Sequence, residues 1–357
     1  MNDALAVKAL SEHSKDPECA AWLADAMGEA QRPRRHGGGG MSKRHQRRHR
    51  GQAAPDDDGT VPIPPRTPRA HLWPLLAIPL ALMIGAPAAW LAFHATPPPA
   101  IVTADEATIL AAHAPGLQVF RFADMPQVRV LSFPTLHEQA RMLNRIGAFV
   151  EKAGMPHDRV VRDEEFASAI RRDGESEDTY YYGHDYRAAD LARFFAAAAR
   201  DRLPLHAGEE RLRALLEAEG MLAPGANGAV ISIAPESGEP LIDAAARGAI
   251  LHHELSHGLY FTDAGYAAYV RSFWETVLSD AQRAGFRRFL GSEDYDPADE
   301  DLMMNEAIAY LVFTPDARYF RPALAGLTDA EATRLRHDFA HGMPTNWLKP
   351  WATAKYP

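Results

Sequence analysis

Residues 250–257 contain two histidines four positions apart, His253 and His257, with Glu254 directly after the first. On an α-helix, residues at this spacing are about 40° and one turn apart, so both imidazoles can point at one metal ion. His252 is turned away from His257, and we exclude it as a ligand. The leucines fall on the opposite side of the helix, where they can pack: Leu251, Leu255 and Leu259. The segment predicts a helix with one packed side and one side that faces a metal site.

The residue types of this segment indicate what the metal would do. Two neutral imidazoles can hold zinc without cancelling its charge, and an open coordination position lowers the pKa of water to about 7. Glu254 is close to the metal but rotated off the ligand direction, which is the placement that a general base needs. The chain has one cysteine, Cys19, so an internal disulfide and a cysteine-based zinc cluster are both excluded. The remaining ligands must come from the 16 histidines and the carboxylates.

Glu306 is the predicted third ligand, because residues 301–313 carry apolar side chains around the whole helix. An ionised carboxylate buried there without a partner would cost several kcal/mol, and a nearby cation removes this cost. A buried glutamate that pairs with an arginine or accepts hydrogen bonds is the structural alternative. The residues thus predict a zinc site of His253, His257 and Glu306, with Glu254 as the catalytic group.

These residues, together with Asn305 before Glu306, resemble the zincin metallopeptidases, and specifically their gluzincin or thermolysin-like branch. In that branch a glutamate from a later helix, frequently preceded by asparagine, joins the two histidines. The resemblance covers residues 253–306 and implies a Zn²⁺-dependent hydrolase of peptide bonds. It also implies a cleft beside an edge strand, for which residues 230–233 are the candidate. It does not identify the substrate or distinguish an endopeptidase from an exopeptidase.

The metzincins are a rival branch, since they continue the same motif with Gly-x-x-His or Gly-x-x-Asp. Asp263 occupies the third-ligand position of that pattern, but Tyr260 stands where the glycine is required. Thr262 or Asp263 is also well explained as the N-cap of the next helix. Asp263 therefore stays open as the alternative third ligand.

Hydrophobic patterning predicts the elements that position these groups. With 357 residues, 46% of them hydrophobic and 24% charged, the chain has material for about two domains and a substantial core. Period-two or continuous apolar runs predict strands at 117–122, 128–133 and 230–233. Helical periodicity predicts helices at 135–153, 163–172, 187–202, 207–219, 241–260, 264–288, 297–313 and 328–341. We expect an α+β fold, a helix-rich zincin-like catalytic domain with a small sheet, over residues 116–357.

Residues 72–93 carry no charged side chain, and at about 1.5 Å per residue they are long enough to cross a bilayer. Eight arginines and lysines in residues 31–50 would keep the preceding segment in the cytoplasm. The prediction is a largely disordered cytoplasmic tail at 1–70, a transmembrane signal anchor at 71–94 and a Pro-rich stalk at 95–115. In a bacterium this topology places a single-pass protein in the inner membrane with its catalytic domain in the periplasm.

The whole chain has a net charge of −9, and its acidic excess lies after residue 95, which argues against nucleic acid as a partner of the catalytic domain. The expected partners are a peptide or protein substrate and the lipid bilayer. The alternative function is a membrane-tethered binding or regulatory module with a structural or inactive zinc site. Two further segments could contribute to a site but favour packing or a solvated face: residues 180–185, and His337 with His341.

Overall fold

The computed structural model describes residues 99–238 and 241–356. Its strands are β1 Ile101–Ala104, β2 Gln118–Phe122, β3 Val128–Ser132, β4 Gly183–Arg187, β5 Ala229–Ile233, β6 Ser237–Gly238 and β7 Leu241–Ile242. The α-helices are α1 Glu106–Leu110, α2 Leu136–Val150, α3 Asp163–Arg172, α4 Ala188–Arg200, α5 Ala207–Ala218, α6 Ala244–Thr262, α7 Ala264–Thr276, α8 Asp280–Ser292, α9 Glu300–Ile308, α10 Asp329–Gly342 and α11 Leu348–Lys355. A π-helical turn, Ala309–Phe313, follows α9 directly.

The main sheet is mixed and has the strand order β1-β2-β3-β5-β4. The expected α+β class is confirmed. Strand β4 runs antiparallel to β5 and lies at the edge of the sheet within the described residues. The expectation that residues 230–233 form the edge strand is wrong, because β5 pairs with β3 on one side and β4 on the other. Its continuous apolar run is typical of a strand buried on both faces.

Helices cover both faces of this sheet, so a separate core forms on each face. On one face the sheet packs against α2, α4 and α5 through side chains that include Val119, Leu131 and Val230. On the other face, alternating residues such as Val130 and Ile231 pack against α6 and the helices after it. The period-two alternation of the strands therefore sends successive side chains into different cores. In β4 the same alternation places Gly183, Asp185 and Arg187 on one face of the strand.

The helix boundaries differ from the sequence prediction where local capping intervenes. The expected helix 264–288 is divided between α7 and α8, because Ser279 caps α8 by accepting a hydrogen bond from the Gln282 amide at 3.3 Å. Residues 101–110, which the sequence assigns to the stalk, form β1 and α1. Strand β1 is short but pairs in parallel with β2. The expected stalk of residues 95–115 therefore contains elements of the folded unit.

The predicted tail at 1–70 and signal anchor at 71–94 lie outside the described residues. Within the described part of the chain, none of the helices combines the length and the apolar character needed to cross a bilayer.

Candidate metal centre

Helix α6 carries the histidine pair and is held firmly against the sheet. Asp243 caps its first turn by accepting a hydrogen bond from the Ala246 amide at 2.8 Å. Arg247, 1% exposed, donates to the Ala234 carbonyl and, at 3.0 Å, to the Ser132 hydroxyl. Nearly every residue from the second turn onward is buried, including the whole motif at 253–257. The fixed helix axis determines where the motif side chains point.

Helix α9 carries Glu306 and is tied to the two neighbouring elements by Asp301. This carboxylate accepts a hydrogen bond from Arg187 of β4 at 2.5 Å and another from the Tyr260 hydroxyl of α6 at 2.5 Å. Asp299 caps the helix by accepting from the Leu302 amide at 3.1 Å. These contacts set the register of α9 against β4 and α6, and so direct Glu306 toward the histidines.

The three predicted ligands lie together. The distance from His253 Nε2 to Glu306 Oε2 is 3.6 Å, and that from His257 Nε2 to Glu306 Oε1 is also 3.6 Å. One ligand atom from each of the three residues lies within 4.8 Å of the others. Ligands bound tetrahedrally at about 2.1 Å from zinc stand roughly 3.4 Å apart, so the observed spacing fits a zinc ion.

A hydrogen-bond chain through Thr314 assigns the tautomer of His253. The Thr314 hydroxyl donates its one proton to the Ala309 carbonyl at 3.0 Å, and it lies 2.8 Å from His253 Nδ1. The hydroxyl oxygen therefore accepts from Nδ1–H, which leaves the lone pair on Nε2, the atom that faces Glu306. Metal-binding histidines are commonly oriented by a second hydrogen bond of this kind.

Among the described residues, several buried polar atoms of the cluster make no hydrogen bond of good geometry. Within the described residues, neither ring nitrogen of His257 makes a hydrogen bond of good geometry, and Glu306 Oε2 has none. His257 is 0% exposed and Glu306 is 1% exposed. A buried polar atom left in this condition costs about 1–3 kcal/mol, and a bound cation would remove that cost. The donor set therefore fits a metal ion.

Burial also sets the protonation of the ligands. It lowers the pKa of His253 to about 3 and that of His257 to about 4, so both imidazoles are neutral and their lone pairs are available. Burial raises the pKa of Glu306, while the nearby His257 and the Tyr295 hydroxyl act in the opposite direction. A divalent cation between these groups would favour the ionised carboxylate.

Glu254 lies beside the ligands with its carboxylate against the backbone of β4. A Cβ atom added to Gly183 would stand 2.0 Å from Glu254 Oε1, so the absence of a side chain there makes room for the carboxylate. Burial first, and then the charges of Glu306 and Glu151, raise the pKa of Glu254 well above its usual value. Its Oε2 atom is buried without a hydrogen-bond partner within the described residues.

Glu254 and His253 both line a cavity whose wall is rich in tyrosines. The tyrosines are Tyr180, Tyr181, Tyr182, Tyr295, Tyr310 and Tyr319. Tyr310 packs edge-on against His253, with ring centroids 4.8 Å apart. Residues 180–182, expected from the sequence to form a packed turn, thus also contribute to the wall of the site.

We expect Gly183→Ala to preserve the fold and to reduce hydrolysis by about 10²-fold, because the new methyl group meets only the side chain of Glu254 and displaces its carboxylate. The measurement is the cleavage rate of a peptide substrate beside a thermal melt. Gly116→Ala is the matched control, since nothing lies within 4 Å of a Cβ at Gly116. Equal activity of the two variants would contradict this placement of Glu254.

Sequence reasoning missed two buried carboxylates near the ligands, Asp185 and Glu151. Asp185 Oδ2 lies 3.8 Å from His257 Nδ1, and both acids share a group with Glu306 in which the ligand atoms are within 4.8 Å of one another. The period-two pattern of Gly183, Asp185 and Arg187 could have identified Asp185, had residues 183–187 been recognised as a strand.

The remaining sequence candidates lie elsewhere. Asp263 is exposed and caps α7 by accepting from the Tyr266 amide at 2.9 Å. His252 Nε2 lies 2.9 Å from a carboxylate oxygen of Glu106, so His252 does not belong to the ligand set, as predicted. His337 and His341 stack on each other at an exposed helix surface. Of the two proposed third ligands, only Glu306 lies with the histidines.

Searches with protein-family models, against curated proteins and against solved structures find no match to this chain. The chemical interpretation of the site therefore depends on the contacts described above.

Proposed function

We propose that the chain is a zinc-dependent peptidase that resembles the gluzincins, with zinc held by His253, His257 and Glu306. The observation that supports this is the approach of both histidine Nε2 atoms to one buried carboxylate, each at 3.6 Å. The assigned tautomer of His253 supports it independently, as do the buried nitrogens of His257, which make no hydrogen bond of good geometry within the described residues.

Zinc bound there would polarise the scissile carbonyl and lower the pKa of a water molecule. Glu254 accepts the proton from that water and delivers it to the leaving amine, which is the role of a general base followed by a general acid. Its burial and its raised pKa suit a group that must carry a proton between the two steps. Thr314 keeps His253 oriented during both steps.

Strand β4 is the proposed docking edge for the substrate. It lies at the edge of the sheet within the described residues, and its Gly183 backbone adjoins Glu254. An extended peptide can add to such an edge through main-chain hydrogen bonds. The neighbouring tyrosine-lined cavity would receive a side chain of that peptide, and its wall suits an apolar or aromatic one.

The membrane part of the proposal rests on the sequence alone. The uncharged segment at 72–93 and the basic cluster before it support a single-pass anchor with its amino terminus in the cytoplasm. The peptidase would then act on the periplasmic side of a bacterial inner membrane.

The test uses the full chain in detergent and a mixed peptide library, with cleavage products identified by mass spectrometry. We expect zinc in the purified protein, loss of cleavage after treatment with 1,10-phenanthroline, and recovery when Zn²⁺ is restored. A protein that retains no zinc, or that cleaves with or without the chelator at the same rate, would refute the proposal.

A further inference from the structure

His252 and Phe313 immediately precede the two residues whose hydrogen bond assigns the tautomer of His253. That bond joins His253 Nδ1 and the hydroxyl oxygen of Thr314, which lie 2.8 Å apart. His253 belongs to α6, whereas Thr314 follows the π-helical turn with a non-helical backbone. The tautomer therefore depends on how closely two separate stretches of backbone are held together.

Trp351 of α11 contacts both of those stretches. Its ring centre lies 4.3 Å from that of His252 and 5.8 Å from that of Phe313, and each pair of ring planes is inclined by 30°. His252 is 8% exposed and Phe313 is fully buried, so their close-packed surroundings restrict both rings. One indole thus bridges the residue before His253 and the residue before Thr314.

The C-terminal segment also supplies hydrogen-bond donors to the π-helical turn. A helix leaves its last carbonyl groups without partners in the helix itself. The Tyr356 hydroxyl donates to the Val312 carbonyl at 2.8 Å. Arg336 Nε donates to the Leu311 carbonyl, also at 2.8 Å, and its guanidinium lies 5.5 Å from the centre of the Tyr356 ring. These contacts fix the stretch of backbone that ends at Thr314.

These side chains have no direct contact with the reaction. Among the described residues, neither Trp351 nor Tyr356 lines the tyrosine-rich cavity or belongs to the group of proposed ligands. They reach His253 only through the residues that adjoin it and through the Thr314 hydroxyl. Any effect of these two aromatic residues on the site must therefore pass through the orientation of that imidazole.

We propose that Trp351 and Tyr356 are positioning residues, because they hold in place the hydroxyl that fixes the tautomer of His253. With that hydroxyl on Nδ1–H, the lone pair stays on Nε2, where it can bind a metal ion. Loss of such an orienting contact typically lowers metal affinity by about 10–100-fold. The consequence for zinc rests on the proposed function, whereas the tautomer of the metal-free protein does not.

The test records the imidazole nitrogen resonances of metal-free, full-length protein labelled with ¹⁵N-histidine, and His253→Gln identifies the signals of His253. We expect the Nδ1–H tautomer in the wild type. Trp351→Ala should populate the Nε2–H tautomer and weaken zinc binding by about 10-fold. Trp351→Phe keeps an aromatic ring at this position and should restore most of the tautomer and of the zinc affinity.

Trp347→Ala is the matched control, because Trp347 directly precedes α11 but packs edge-on against Phe122 of β2, with ring centres 4.8 Å apart. It should lower the melting temperature as Trp351→Ala does, yet leave the tautomer unchanged. An equal change of tautomer in this control, or no change in Trp351→Ala, would overturn the positioning role.

Tyr356→Phe removes a single hydroxyl, so it decides the question if Trp351→Ala does not fold. We expect a smaller change of tautomer in the same direction, and its absence would then contradict the inference. A metal-free wild type with the Nε2–H tautomer would overturn the positioning role directly. A wild type with the Nδ1–H tautomer that binds no zinc would refute the proposed peptidase and leave the positioning role supported.

Discussion

Glu254→Gln should lower the cleavage rate by about 10²–10⁴-fold while zinc remains bound. The amide has nearly the same shape as the carboxyl group, so it fits against Gly183, but it cannot accept a proton from water. Since Glu254 is not among the three groups that surround the proposed zinc, its replacement removes no ligand. The measurement is kcat on a peptide substrate together with zinc content.

Glu275→Gln is the control for this variant, because Glu275 is an exposed glutamate of α7 that does not line the cavity. It should retain most of the activity. If Glu254→Gln cleaves as fast as the wild type, Glu254 is not the general base. If the wild type holds zinc but cleaves no peptide, the alternative of a binding or regulatory module with a structural zinc site is favoured instead.

Glu306→Ala should strip zinc from the protein, whereas Asp263→Ala should leave the zinc content unchanged. Glu306 is within 3.6 Å of both histidines, and its loss leaves two neutral ligands and no charge to offset that of the metal. Asp263 is exposed and serves as a helix cap, so its replacement costs only about 1 kcal/mol of stability. Equilibrium dialysis against zinc followed by elemental analysis compares the two variants.

The thermal melt of each variant provides the check on folding. Asp263→Ala should melt at a lower temperature than the wild type and still bind zinc. Glu306→Ala should not bind zinc, and without metal it should melt at a higher temperature than the wild type, because it removes a buried carboxylate. The reverse order of zinc affinities would assign the third ligand to Asp263 and the chain to the metzincin pattern.

The histidine-bearing helix and its third ligand could be predicted because their signals are local. Helical spacing alone places His253 and His257 on one side, and the apolar surroundings of Glu306 make an unpaired carboxylate costly. The structure brings these three residues together across about 50 positions of sequence. No local pattern encodes the contact between α6 and α9. That Glu306 lies near the histidines follows from the sequence only through the free-energy cost of burying an unpaired carboxylate.

The edge strand and its carboxylate could not be predicted in the same way. Strand β4 has the sequence Gly-His-Asp-Tyr-Arg, which lacks apolar alternation because one face meets the site and the other holds His184 in a buried polar contact with Ser232 at 3.0 Å. Such a strand is stabilised by pairing with β5, a contact between residues far apart in the sequence. Asp185 was missed for the same reason.

The π-helical turn at Ala309–Phe313 has a consequence for how insertions and deletions would act on this protein. A turn of this kind contains one residue more than regular α-helical geometry would place there. Removal of one residue from it would change the five-residue spacing by which the Thr314 hydroxyl donates to the Ala309 carbonyl, and so would move the hydroxyl that contacts His253, while Glu306, upstream, keeps its position. A deletion in this turn would therefore affect the residue that orients His253 and leave the proposed ligand Glu306 in place.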